Sequence, residues 1–348
     1  MLDMIAVPES RRPALAAVLA ALESARSIVL TTHVNADGDG AGSEAALGAW
    51  LAARGKRVTI VNPTPLPPVY LHLFSEPVEL AEAGTAEAMR ATRDGDLLVV
   101  LDTSERKRMG RLADLVDELP TVVIDHHPPG ETTVSATGIQ DPSASATGEL
   151  VFDLLQLAEP GGEWPPVVAE AIYTAIVTDT GSFRFSNTSP RAHAIAGELL
   201  RRGVDPEDVY RRLFATVSLR RIALLRSALE RLEADTEARV SWISLPRSVL
   251  EPLNATSEDM EGIVEYARSI EGTEVALLFR ELPDGSTKVS LRSNGPTDVN
   301  RIARQFGGGG HIKAAGALIP RPLEEARALV LDAARKAVRK LEKRPDFG

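Results

Sequence analysis

The sequence predicts an α/β protein with a parallel-sheet domain followed by a smaller α+β domain. Between Ser27 and Asp125, short apolar β-branched runs alternate with amphipathic stretches, the rhythm of βαβ units whose sheet is covered on both faces. From about Ala238 the texture changes to a hairpin and short helices. The chain has 348 residues, 44% of them hydrophobic, which is more than one typical domain holds.

The first run, SIVLTTH, reads as a strand, and AGSEAALGAWLAARG after it as a helix closed by Gly55. RVTIVNP, a helical stretch, LLVVLDTS, another helix and TVVIDHH continue the alternation, with the Pro-rich 62–68 as a loop. Helices are expected from Ala144 to about Leu157, from Pro165 to Thr178, and from Pro190 through Arg231 with a break at Gly203 to Pro206. Residues 1–189 are thus expected to form the first domain, 190–237 a helical connector and 238–348 the second domain. There ARVSWISL reads as a strand, SEDMEGIVEYARSI as a helix, and VALLFRELPDGSTKVSLRS as a hairpin turning on Asp284-Gly285. Another helix, the run GGGGH and a strand-like AAGALI follow, and the last helix starts acidic and ends basic, complementing its dipole.

Composition restricts the function. The net charge of -10 gives no global attraction for nucleic acid or an anionic membrane. The absence of cysteine removes disulfides, thiolate metal sites and thiol nucleophiles, leaving His, Asp and Glu as metal ligands. No run of about 18 apolar residues occurs and the N-terminus lacks a signal-like apolar core, so a soluble cytoplasmic protein without a membrane partner is expected. Aromatic residues make up only 4% of the chain, which argues against a stacking platform for long single strands.

The strand ends carry the chemistry. TTHVNADGDG places His33, Asp37 and Asp39 in a tight turn directly after SIVL. Such a loop can wrap a small cation, or Asp and Asn can simply cap the next helix. Asp102 ends LLVVL, where a cap is again the plain alternative, and TVVI ends in Asp125, His126 and His127. Two adjacent imidazoles after a buried strand are harder to explain as packing. An apolar helix ends at Thr178, Asp179 and Thr180, where capping is once more the alternative. What favours a shared site is convergence, because a parallel sheet brings its carboxyl ends to one edge.

These motifs resemble those of the DHH phosphoesterase superfamily: H-x-N-x-D-x-D at His33 to Asp39, Asp102, D-H-H at Asp125 to His127, and T-D-T-G at Thr178 to Gly181. GGGGHIKAAG, Gly307 to Gly316, looks like the signature of its DHHA1 domain, and the two-domain layout is similar to the oligoribonuclease and pAp-phosphatase group. The resemblance implies two divalent cations, Mn²⁺ with Mg²⁺ as the alternative. His33, Asp37 and Asp102 would hold one, and Asp39, Asp102, His126 and Asp179 the other, with Asp102 as the bridge. His127 would face the substrate phosphate or leaving oxygen, and Asp125 would orient the histidines.

In the second domain, the resemblance implies substrate contacts from Gly308, Gly309, Gly310, His311 and Arg292, in a cleft between the domains. The glycines would otherwise be a flexible linker and Arg292 an exposed strand residue. Arg184 is a further candidate, although many relatives place their basic residue where this chain has Ser182. His72 and His193 lie outside every motif and are expected to be structural.

The implied activity is hydrolysis of short oligoribonucleotides and of 3′-phosphoadenosine 5′-phosphate (pAp), with hydroxide generated between two metals, by a homodimer that does not take long nucleic acid. A phosphodiesterase for cyclic or linear dinucleotides is the close alternative, and a catalytically silent nucleotide-binding protein the alternative from another class.

Overall fold

The computed structural model describes residues 2–130, 132–134, 136–256, 258–260, 262–310 and 312–342. They form two compact units, Met1–Ala215 and Thr216–Gly348. The first unit is built on six strands: β1 (Ser27–Thr31), β2 (Arg57–Asn62), β3 (Glu79–Glu82), β4 (Leu97–Leu101), β5 (Thr121–Asp125) and β6 (Thr137–Gln140). Every pairing is parallel, in the order β3-β2-β1-β4-β5-β6. The chain therefore leaves β1 toward one edge and returns through β4 toward the other, making the β1/β4 junction a switch point with a crevice beyond the strand ends.

The strands are apolar throughout because both faces are covered. Ile28, Leu30, Val99, Leu101 and Ile124 pack with Leu47, Trp50, Ile172 and Ile176 from the helices Gly38–Ala53 and Pro166–Asp179. The alternate residues Val29, Leu98, Val100 and Val123 face a second core with Ala88, Met109 and Leu112. The two helices approach closely. A Cβ on Gly42 would lie 2.5 Å from the Ala171 carbonyl oxygen, and one on Gly38 would lie 2.4 Å from the Thr178 side chain. Small residues at those positions let the turn that carries Asp37 and Asp39 reach the helix end that carries Asp179.

Strands β3 and β6 did not stand out in the sequence. Both are four-residue edge strands, ELAE and TGIQ, too short and polar to show a period of two against their surroundings. The helical stretch from Pro190 to Arg231 is broken twice rather than once, into Pro190–Arg201, Pro206–Leu213 and Leu219–Leu229. The unexpected break precedes Ser218, whose hydroxyl accepts from Arg221 N and starts a new helix. The first two of these helices lie in the first unit and the third in the second.

The second unit carries β7 (Leu232–Asp235), β8 (Val240–Leu245), β9 (Val275–Glu281), β10 (Thr287–Ser293), β11 (Gly309–Gly310) and β12 (Ala314–Ile319). Their order is β11-β12-β10-β9-β8-β7, antiparallel except for β8 with β9. The β9–β10 hairpin turns at Asp284-Gly285, with Gly285 at φ +80. The glycine run is not a linker: Gly309 and Gly310 pair with Gly316 and Ala315. A Cβ on Gly308 would sit 2.1 Å from the Gly316 oxygen, so this approach requires a glycine. The helix Leu323–Glu342 starts with Glu324 and Glu325 and has Arg339 and Lys340 in its last turn. Among the described residues, no helix is long and apolar enough to cross a membrane.

Candidate metal centre and active site

The sequence-predicted donors of the first unit meet at the switch point. His33 lies just beyond β1, and Asp102, at φ +60, just beyond β4. Asp125 ends β5, with His126 and His127 next, and Asp179 ends the helix Pro166–Asp179. Asp37 is the N-cap of the helix Gly38–Ala53, its Oδ1 accepting from Asp39 N and Gly40 N. The plain alternative of capping therefore holds for Asp37 and still leaves its Oδ2 3.7 Å from His33 Nε2.

Three overlapping sets of donors lie within 4.8 Å of one another: His33, Asp37 and Asp102; Asp39, His126 and Asp179; and Asp102, His126 and His127. His33 Nδ1 contacts the Val34 carbonyl at 2.9 Å and must donate to it, because a carbonyl only accepts. Burial lowers the His33 pKa, partly offset by Asp37, and so favours the neutral ring. Its Nε2 then presents a lone pair to Asp102 Oδ2 at 3.3 Å and has no hydrogen-bond partner. His126 repeats the contact geometry. Its Nδ1 faces the Ala144 carbonyl at 3.3 Å, while the unpartnered Nε2 lies 3.6 Å from Asp39, 3.7 Å from Asp102 and 3.7 Å from Asp179.

Acceptors aimed at acceptors inside a protein are unfavourable unless a positive charge lies between them. Adjacent donors about 2.1 Å from one octahedral cation stand roughly 3 Å apart. The residues therefore fit divalent ions, and the mix of carboxylates with a minority of imidazoles suits Mn²⁺ or Mg²⁺.

Burial pushes Asp39 and Asp102 well above the ordinary carboxylate range, reinforced by Asp102 and Asp179 around Asp39 and by Asp37 near Asp102. In the metal-free protein the folded state then keeps protons that the unfolded chain has released. That contribution to stability is complete below the ordinary carboxylate value near 4 and declines as pH rises through the shifted values. With chelator present, the melting temperature of the first unit should fall as pH is raised from about 5 to 8, and saturating Mn²⁺ should flatten the decline. A melting temperature independent of pH in chelator would contradict this charge arrangement.

A second layer of side chains holds the donors. Asp125 is fully buried; burial alone would raise its pKa, but His127 and a hydrogen bond from Ser104 together bring it below the usual value. It accepts from His127 N at 3.0 Å and faces His127 Nδ1 at 2.9 Å. The proton on Nδ1 leaves Nε2 free to accept, and Arg108 Nη1 stands 3.4 Å from it. Asp125 thus orients His127, whereas His126 is held by Ala144. Asn187 Nδ2 donates to Asp179 Oδ2 at 2.9 Å. Thr147 Oγ1 donates to Asp102 Oδ1 at 3.0 Å, and Thr147 N donates to Asp39 Oδ2 at 2.6 Å.

Sequence reasoning missed Arg108, Thr147 and Asn187. The basic triplet Arg106 to Arg108, shortly after Asp102, was the available signal for Arg108; Thr147 fell within the helix expected from Ala144 and carried no signal of its own. Arg184 is exposed, with Nε donating to the Gly181 carbonyl at 2.7 Å. In the second unit, Arg292 is part-buried with Nε donating to Glu265 at 3.2 Å. His311 lies outside the described residues. His72 and His193 stay apart from the cluster: His72 Nε2 is 3.4 Å from Glu170, and His193 stacks on Phe183 at 4.8 Å.

Comparison with known proteins agrees with this geometry. Residues 27–176 match the DHH family, N-terminal domain, and residues 244–340 match the DHHA1 domain. The chain is 34% identical to the bifunctional oligoribonuclease and PAP phosphatase NrnA of Thermus thermophilus, covering 92% of each. It is similar to the crystal structure of an exopolyphosphatase-related protein from Bacteroides fragilis, with a TM-score of 0.87 and 30% identity over 95% of this chain and 98% of that one. It shares a fold with RecJ in complex with Mn²⁺ from Thermus thermophilus, at a TM-score of 0.54 and 16% identity over 97% of this chain and 56% of that one. A doubly wound parallel sheet with acidic and imidazole donors at its switch point, in a chain with these relatives, defines a phosphoric ester hydrolase. The chain belongs to the DHH family and carries a DHHA1 domain after the catalytic one.

Proposed function

We propose that this protein hydrolyses short oligoribonucleotides and pAp with the help of two divalent cations, Mn²⁺ in preference to Mg²⁺. The reading is carried by the two buried Nε2 atoms, of His33 and His126, that face carboxylates and have no hydrogen-bond partner. The relative from Thermus thermophilus, matched along most of both chains and named for these two activities, supports the choice of substrate. His33, Asp37 and Asp102 would hold one cation, and Asp39, Asp102, His126 and Asp179 the other.

When bound, such cations offset the clustered carboxylates, take up charge on the phosphoryl oxygens and bring the pKa of a coordinated water toward neutrality. The remaining work belongs to the chain. Arg108 supplies a positive charge beside His127 for a substrate phosphate in a protein of net charge -10. Asp125 orients the His127 ring, which would face the substrate phosphate or leaving oxygen with Arg108 beside it. In the second domain, Arg292, Gly308, Gly309, Gly310 and His311 would bind the nucleotide, and Arg184 is a further phosphate contact.

A substrate panel tests the reading. With Mn²⁺ the protein should release mononucleotides from RNA dimers to pentamers and phosphate from pAp, and chelator should stop both. Faster turnover of cyclic or linear diadenylate would reassign the substrate. Inertness toward every phosphoester in the presence of Mn²⁺ would leave a nucleotide-binding protein.

A further inference from the structure

The helix Thr147–Ala158 begins after Ala146, a residue whose side chain cannot accept a hydrogen bond. Its first free N–H groups are satisfied from another helix instead. Thr147 N donates to Asp39 Oδ2 at 2.6 Å and Gly148 N to Asp39 Oδ1 at 2.9 Å, so one carboxylate lies across the positive end of the helix with both oxygens engaged. Gly148 lets the start of this helix lie against the helix Pro166–Asp179, since a Cβ there would sit 2.5 Å from the Ala175 side chain. The same Thr147 reaches the other way through its hydroxyl, donating to Asp102 Oδ1 at 3.0 Å. With Oδ1 fixed in that way, Oδ2 points to His33 Nε2 at 3.3 Å while Oδ1 remains 3.7 Å from His126 Nε2. The two oxygens of Asp102 thereby face the two donor groups.

The helix that presents Thr147 is itself pinned. Glu149, one turn in, accepts from Ser145 N and Oγ at 3.0 and 2.8 Å, and from Arg11 and Arg191 at 2.7 and 3.2 Å. Asp153 receives the same two arginines one turn later. Arg11 comes from just before the helix Arg12–Ser24 and Arg191 from the helix Pro190–Arg201, so two separate parts of the first unit hold the helix in place.

We infer that Thr147 is a positioning residue for the metal centre: its N–H and hydroxyl together hold Asp39 and Asp102 in the orientation that lets Asp102 serve both donor groups. The inference rests on the metal reading above and concerns how the ligands are oriented. Removing the hydroxyl frees Asp102 to rotate about its terminal bond, and the two donor sets lose their common member. Removing only the methyl group, as in serine, leaves both hydrogen bonds available.

Calorimetric titration of the metal-free full chain with Mn²⁺ reads this directly, with melting temperatures of the same samples as a control on folding. Thr147→Val should weaken Mn²⁺ binding about 10- to 100-fold, the range for second-layer ligand partners, while Thr147→Ser stays within about 3-fold of the parent. If Thr147→Val does not fold, Thr147→Ala takes its place in the comparison. Binding by the valine or alanine variant at the parental affinity, or a serine variant as weak as valine, overturns the role of Thr147. A parent protein that binds no Mn²⁺ in the same titration overturns the metal reading as well, so the two failures are distinct.

Discussion

Asp102→Asn should reduce turnover by at least about 100-fold, a loss already reached by substitutions one layer farther from a metal. The substitution is chosen for its conformation as well as its charge. Asp102 sits at φ +60, a left-handed backbone that Asn adopts readily and Ala does not, so Asn isolates the carboxylate from the turn. Metal-free Asp102→Asn should melt no lower than the parent, because burial already opposes the ionised acid at this position. What should vanish is the rise in melting temperature on adding Mn²⁺, since stabilisation by a ligand scales with its affinity for the folded state. Retained activity together with an undiminished Mn²⁺ shift would remove Asp102 from the centre.

The second large effect lies away from the chemistry. Arg11 is 4% exposed and donates to Asp141, Glu149 and Asp153. Glu149 and Asp153 are buried more deeply still, at 1% and 0%. Burial pushes the Asp153 carboxyl up to about 6 even with Arg191 and Arg11 opposing it. Arg11→Ala leaves the buried carboxylates of Glu149 and Asp153 with only Arg191 against them, and breaking a buried pair in this way costs about 3–5 kcal/mol. For a unit of this size that corresponds to a fall of roughly 10 °C in melting temperature. Urea denaturation followed by a probe in the first unit measures it, and a loss below about 1 kcal/mol would show that the lattice is solvated. Arg11→Ala should also weaken Mn²⁺ binding, because the helix it pins carries Thr147.

The fold and the donors were legible in the sequence because they follow short-range rules. SIVL, LLVVL and TVVI are central strands, and their apolar runs show burial on both faces. Their polar ends, His33, Asp102 and Asp125 to His127, converge because parallel strands end on one side of the sheet. Edge strands β3 and β6 lacked such a signal. The second layer was illegible for a different reason: Thr147 meets Asp39 across 108 positions and Asp102 across 45, and nothing local in T-G-E predicts partners so distant. The glycine run shows a further limit. Gly308 is required by one backbone contact with Gly316, which sequence alone cannot tell from a linker.

The direct measurement is anomalous diffraction from crystals of the full chain grown with Mn²⁺. Two manganese peaks are expected, one against His33, Asp37 and Asp102, the other against Asp39, Asp102, His126 and Asp179, with Asp102 touching both. Peaks that leave Asp102 outside bonding distance, or no manganese at the ends of β1 and β4, would contradict a shared metal centre at the switch point.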